Sequence, residues 1–151
     1  MKSINAAGLA AATLLASAAA VAGPFDAFKG KMKEGQYETK MTMEMPGMPQ
    51  GMGKQTMTHS HCVTAQDIEG GRMGSKDKMP DKCEIRNFNM SGNTATYTTV
   101  CKGDPEMTVD SKVTFVSDGY TMDMKMAMKQ GGQPMNMTQK IEAKYVGACK
   151  K

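Results

Sequence analysis

Hydrophobic and polar residues alternate over much of the chain, beginning near residue 36. From Gln36 to Met45, tyrosine, threonine and methionine occupy every second position, with charged or polar residues between them. Side chains of a β-strand point alternately to its two faces, so this pattern predicts a strand with one buried face. A segment rich in proline and glycine follows over 45–53 and predicts a loop, and a more polar strand is predicted over 54–63.

The alternation returns in the second half of the chain, where it predicts strands over 83–90, 94–101, 107–116, 120–128 and 135–145. Short segments rich in glycine, serine, asparagine and aspartate separate them, and these residues are typical of tight turns. The first two of these strands form a predicted hairpin around Ser91-Gly92-Asn93.

Two short segments have a helical pattern instead, one before the first predicted strand and one after the second. Pro24–Lys33 places Phe25, Phe28 and Met32 on one side behind an N-terminal proline, which predicts a short amphipathic helix. Residues 64–70 are predicted to form one or two helical turns, with Thr64 as the N-cap and Asp67 three residues later.

The order of these elements predicts an all-β protein, β-rich with a short N-terminal helix. One apolar face on each strand and short connections favour an antiparallel meander of about seven strands around a single core. We expect the sheet to be curled or to form an open barrel, stapled by disulfides.

The first 22 residues have the organisation of a signal peptide. Lys2 is followed by an uncharged, alanine-rich run over 6–22, and Ala20 and Ala22 provide the small residues that signal peptidase requires before Gly23. The run is shorter and less apolar than the roughly twenty residues that span a membrane. We therefore expect a signal peptide over 1–22 and one exported domain over 23–151, periplasmic or secreted, with no membrane anchor in the mature form.

Composition argues against some functions and shows an unusually large number of methionines. The formal net charge is only +4 and its acids and bases are interspersed, so the sequence does not predict a nucleic-acid-binding surface. Sequence motifs of hydrolases, zinc proteases and phosphate-binding loops are missing, which favours a non-enzymatic role. Aromatic residues make up 5% of the chain and tryptophan is absent, whereas there are 18 methionines.

The four cysteines all lie in the exported part and none forms a Cys-x-x-Cys motif. An even number in a small exported domain favours two disulfides. Cys83 and Cys101 lie at equal sequence distance from Gly92, so a hairpin with a three-residue loop centred there would place them opposite one another, unless a bulge near Phe88 shifts the register. Cys62 would then pair with Cys149.

Several short motifs, in this order and spacing, resemble the bacterial exported family called domain of unknown function 3617. They are Met32-Lys-Glu-Gly-Gln-Tyr-Glu38, Met43-Glu-Met-Pro-Gly-Met-Pro49, Cys62-Val-Thr-Ala-Gln-Asp67, Ser91-Gly-Asn93 before Tyr97, Val100-Cys-Lys-Gly103 and Gly147-Ala-Cys149. The chain departs from the family's opening Pro-Gly-Leu-Trp-Glu pattern, with Glu34 in place of proline and Tyr37 in place of tryptophan. The resemblance implies an exported β-rich domain and no known activity.

The methionines that alternate within strands have two interpretations. They share one face with Tyr37 and Tyr120, so they fill the core or line a ligand cavity, and flexible methionine suits varied shapes. Thioether sulfur is also a soft ligand that suits Cu(I). We favour the first interpretation and expect these residues to line an apolar ligand site: Met41, Met43, Met122, Met124, Met126 and Met128.

The loop after the first predicted strand suggests an alternative function. Methionines there are expected to be exposed among proline and glycine, and two histidines share a face of the next strand. A Cu(I) or Ag(I) site is the hypothesis for this group: Met45, Met48, Met52, His59 and His61.

Together these patterns favour a non-catalytic exported β-domain that binds a small apolar ligand or a protein partner through a methionine-rich face, without a cofactor. The alternative is a periplasmic copper-binding protein. A third possibility is an oxidant sink, since exposed methionine is reversibly oxidised to its sulfoxide.

Overall fold

The structure, a computed structural model, describes residues 23–47, 53–73 and 81–150. Its strands are β1 Gly35–Glu44, β2 Lys54–Val63, β3 Cys83–Ser91, β4 Thr94–Cys101, β5 Glu106–Val116, β6 Gly119–Gln130 and β7 Gln133–Gly147. Each of the seven corresponds to a strand that the alternating pattern predicts. The all-β prediction is therefore confirmed.

The seven strands form one unclosed antiparallel sheet in the order β2-β1-β7-β6-β5-β4-β3. The last five strands form a meander, as predicted. The hairpin β1–β2 does not continue the meander at β3 but joins the opposite side, where β1 pairs with β7. Both β2 and β3 are consequently edge strands.

One face of the sheet, which we call the inner face, carries the hydrophobic core. Alternate residues of β1 and β4 to β7 are buried there, and they are Tyr37, Thr39, Ala95, Tyr97, Cys101, Val109, Ser111, Val113, Phe115, Tyr120, Met122, Ile141 and Ala143. The alternation that predicted the strands therefore also identifies most of the buried residues. The opposite face is polar.

The N-terminal helix is shorter than the predicted Pro24–Lys33. A 3-10 helix spans only Pro24–Phe28, because Lys29 has extended backbone angles and Gly30 adopts the left-handed region at φ 79°. The predicted apolar side survives this change, since Phe25, Phe28 and Met32 are all buried. Phe25 lies edge-on to Tyr97, with ring centroids 5.3 Å apart, so this segment covers part of the inner face.

A second helical segment, α1, spans Ala65–Glu69 and begins with the predicted cap. The Asp67 amide donates to the Thr64 hydroxyl, and the Asp67 carboxylate accepts from the Thr64 amide, which forms a capping box. Helix α1 contacts the N-terminal 3-10 helix. Neither helical segment has the length and apolarity of a membrane span, and the described residues contain no other helix.

The two disulfides join the predicted pairs of cysteines. Cys83 and Cys101 face one another between β3 and β4, and Cys62 of β2 bonds Cys149, which follows β7. Gln36, at the start of β1, pairs with Cys62 of β2 on one side and with Gly147 of β7 on the other. The second disulfide therefore crosses the N-terminal end of β1 and joins the two strands that flank it.

Candidate functional site: a methionine-rich end of the inner face

The strand register gathers methionines of four strands at one end of the inner face. Met126 of β6 faces Met137 of β7, and Met128 faces both Met135 of β7 and Met107 of β5. Opposed residues of antiparallel strands have Cα atoms about 4.5–5.5 Å apart, so their side chains are direct neighbours. We call this surface the methionine patch, and it comprises Met43, Met107, Met124, Met126, Met128, Met135 and Met137.

Burial decreases along the strands toward the methionine patch. On β6, Tyr120 is 1% exposed and Met122 is 8% exposed, whereas Met124, Met126 and Met128 are half-buried. On β7, residues change from buried Ile141 to Met135, which is 44% exposed. Among the residues that the structure describes, the inner face is therefore covered at one end and open at the other.

The helical segments explain the closed end. The Tyr120 hydroxyl donates a hydrogen bond to the Met73 carbonyl, which follows α1, at 3.0 Å. The Tyr37 hydroxyl donates to the Lys33 carbonyl at 2.9 Å. Phe28 of the 3-10 helix lies against Phe115, with ring centroids 4.9 Å apart. These contacts cover the tyrosine end of the face and hold the helical segments there.

Charged residues of the same strands point to the opposite face. Asp123 and Lys125 of β6 are exposed, as their alternation with the methionines predicted. Cross-strand pairs of opposite charge on that face include Asp123 with Lys140 and with Lys112. Gln139, between Met43 and Met124, is neutral, so the methionine patch is an uncharged surface.

The predicted ligand-lining residues divide between the core and the patch. Met122 is a core residue, and half-buried Met41 lies next to Ile141 in the same row of the sheet. Met43, Met124, Met126 and Met128 lie in the patch. The prediction omitted Met107, Met135 and Met137, although their alternation placed each on the apolar face of its strand. What was missing was the register that brings β5 and β7 beside β6.

The two histidines lie on the inner face near the other end of edge strand β2. The rings of His59 and His61 are 5.3 Å apart between centroids and tilted by 32°. His61 Nδ1 lies 3.4 Å from the Thr39 hydroxyl, and within the described residues its buried Nε2 atom has no hydrogen-bond partner. Burial, and secondarily the charge of His59, lower the pKa of His61 below its ordinary value.

The structure places Met45 far from these two histidines along the sheet. The Met45 amide donates to Gly53 at the loop end of the β1–β2 hairpin, and His59 lies six residues further along β2. At about 3.4 Å per residue, this separates them by roughly 20 Å, too far for a shared metal ion. Met48 and Met52, the other proposed ligands, lie outside the described residues. Histidine, cysteine, aspartate and glutamate in the described ranges form no group of three or more that could hold a metal.

A cavity of about 300 Å³ opens at the tyrosine end of the sheet. Its walls include Tyr37, Phe115 and Tyr145, and two lysines, Lys31 and Lys33, lie at its side. This volume is at the lower limit of known small-molecule sites. Its lining is more charged than the methionine patch.

Comparison with known proteins identifies one family. A family model described as protein of unknown function (DUF3617) matches residues 32–149, which include all seven strands and all four cysteines. No curated protein and no solved structure matches the chain.

Proposed function

The chain belongs to the family of proteins of unknown function DUF3617, and we propose that it is an exported, non-catalytic protein that binds an apolar ligand on the methionine patch. The observation that carries this proposal is the loss of burial along β6, from Tyr120 at 1% exposure to half-buried Met128. Within the described part of the chain, the inner face is covered at the tyrosine end and open at the methionine patch.

The chemistry of the methionine patch supports an apolar ligand. Contiguous apolar surface in contact with water is unfavourable and marks interaction sites in proteins that are otherwise polar outside. The pairs Met126–Met137 and Met128–Met135 are adjacent on the same face of β6 and β7, so their four thioether side chains form one cluster. Unbranched methionine adjusts its shape to different ligands, so this surface suits an apolar group without a fixed outline. An apolar segment of a partner protein would use the same side chains.

The cysteines support a location outside the cytoplasm. Two disulfides with no free cysteine indicate an oxidising compartment. Together with the signal-peptide pattern over residues 1–22, they support a periplasmic or secreted protein that begins at Gly23.

Nile red, an uncharged dye whose fluorescence increases in apolar surroundings, tests the proposed site. Replacing Met135 and Met137 together with glutamine keeps side-chain length and adds polar groups to the patch. Because these residues lie at the open end and not in the core, we expect the fold to persist. Dye affinity should fall about tenfold, or roughly 1.4 kcal/mol. A fluorescence titration of the oxidised protein measures this change.

Val116→Thr is the matched control, since Val116 is 51% exposed and lines the cavity at the tyrosine end. This substitution keeps the shape of the side chain and introduces a hydroxyl. It should leave dye affinity unchanged. If Val116→Thr weakens binding and the glutamine variant does not, the ligand occupies the cavity and the methionine patch is not the site.

A further inference from the structure

We propose that the inner face of β2 carries a site for one soft monovalent metal ion, Cu(I) or Ag(I), formed by His59, His61 and Met57 with Met41 from β1. This site differs from the one that the sequence predicted, because its thioethers come from the paired strands and not from the loop. It is also separate from the methionine patch.

Strand geometry brings three of these donors onto one line. Met57, His59 and His61 occupy alternate positions of β2, so their side chains share a face, with successive Cα atoms about 6.7 Å apart. The two imidazole rings lie closer than that, with centroids 5.3 Å apart. Imidazoles that each place a nitrogen about 2.0–2.1 Å from a shared ion have centroids roughly 5–6.5 Å apart. The observed spacing fits one ion between the two rings.

His61 has one ring nitrogen near a fixed oxygen of the protein and the other without a partner among the described residues. Its Nδ1 atom faces the Thr39 hydroxyl at 3.4 Å, and Thr39 is buried at 2% exposure. Metal-binding histidines commonly use one ring nitrogen for the ion and the other for a fixed oxygen of the protein. Within the described residues, the His61 Nε2 atom is buried and lacks a hydrogen-bond partner, which is unfavourable for a polar atom. A metal ion at Nε2 would remove that cost.

The thioethers complete the donor set. Met57 directly faces Met41 across the β1–β2 pair, and His59 faces Thr39 in the adjacent position. Met57 is 47% exposed and Met41 is half-buried, so the long side chain of Met57 is free to move toward the rings. Two imidazole nitrogens and two thioether sulfurs form a soft set, which favours Cu(I) over Zn(II).

Competition against a chromophoric Cu(I) chelator measures the affinity. The oxidised protein is used, with ascorbate to keep copper reduced while the disulfides remain intact. We expect one Cu(I) per chain and weaker binding of Zn(II). His61→Gln should lower Cu(I) affinity at least tenfold, and so should Met41→Leu combined with Met57→Leu, which keeps apolar volume and removes sulfur.

The matched control is Met126→Leu combined with Met137→Leu, because this pair also faces across two strands and lies in the methionine patch. Its Cu(I) affinity should equal that of the wild type. Equal losses in both leucine pairs, or unchanged affinity in His61→Gln, would overturn the β2 site.

A measurement on the wild-type protein keeps the test valid if a variant unfolds. Titration with Ag(I), followed by nuclear magnetic resonance, should shift the imidazole signals of His59 and His61 and the methyl signals of Met41 and Met57. Shifts confined to the methyl signals of the methionine patch would refute the proposal. Nile red affinity, in contrast, should be the same with and without Ag(I), so the two sites succeed or fail separately.

Discussion

At the scale of the residue, the cap of α1 shows how one carboxylate links stability to pH. The Thr64 side chain, as the main cause, and Arg72 among lesser ones, lower the pKa of Asp67 below its ordinary value of 3.8. The unfolded chain therefore binds a proton at Asp67 more readily than the folded chain does. The stabilisation is fully present above about pH 4 and is lost as pH falls through the lowered pKa of the folded state.

Asp67→Asn tests this contribution. Asparagine keeps the shape of the side chain and an acceptor oxygen but cannot carry the charge, so the variant should unfold about 0.3–1 kcal/mol more easily at pH 7. This difference from the wild type should persist at pH 5 and shrink below pH 4. Urea unfolding at a series of pH values measures it. A difference that grows on acidification would contradict the assignment.

Individual residues were predictable where a local pattern determines them. Alternation identified Tyr37 and Tyr120 as buried, and the spacing of Thr64 and Asp67 identified the cap. The unpartnered nitrogen of His61 was not predictable, because it depends on the position of Thr39 in a neighbouring strand.

At the scale of the element, the β3–β4 hairpin places Cys83 opposite Cys101 for a reason other than the predicted one. The turn contains two residues, Gly92 and Asn93, because Ser91 pairs with Thr94. If that register continued along the hairpin, Cys83 would not lie opposite Cys101. A bulge between Arg86 and Asn89 inserts one residue into β3 and restores the alignment. The predicted pair of cysteines is correct, although the three-residue loop was wrong.

The bulge depends on Asn87, which adopts the left-handed region at φ 52°. Glycine and asparagine tolerate this region, whereas a β-branched residue does not. Asn87→Val should therefore lower the free energy of unfolding by about 1–2 kcal/mol, and Asn87→Gly should be close to neutral. Thermal or urea unfolding compares the two. Equal effects of both variants would show that the conformation at Asn87 does not set the stability of the hairpin.

At the scale of the whole molecule, the alternation of hydrophobic and polar residues predicted the strands but not every pairing between them. The meander β3 to β7 follows from short turns, since consecutive strands usually pair. The pairing of β1 with β7 has no local signal, because residues 36–45 are compatible with any partner that offers an apolar face. The methionine patch was predicted only in part for the same reason, as it requires β5, β6 and β7 in a defined register.

The two disulfides should contribute unequally to the stability of the molecule. Cys62–Cys149 joins residues 87 apart in sequence, and Cys83–Cys101 joins residues 18 apart. A crosslink that closes a longer loop restricts the unfolded chain more, by about 4.6 kcal/mol against about 3.2 kcal/mol in the chain-entropy model.

Replacing both cysteines of one disulfide with alanine, in two separate variants, tests which disulfide contributes more to stability. The Cys62/Cys149 variant should have the lower midpoint in urea, measured at equal protein concentration. The Cys83/Cys101 variant serves as the internal reference, because it also loses one crosslink of an edge strand. The reverse order of midpoints would contradict the loop-length argument.

The Cys62–Cys149 disulfide also determines how the protein responds to mechanical force. Strand β7 lies inside the sheet, between β1 and β6, yet Cys149, just beyond its C-terminal end, is bonded to edge strand β2. A pull on the C-terminus is therefore carried through sulfur to β2 and does not peel β7 out of the sheet. The chain between these two cysteines, which are 87 positions apart, adds no length while the bond lasts. Reduction would release roughly 300 Å of additional chain at about 3.4 Å per residue.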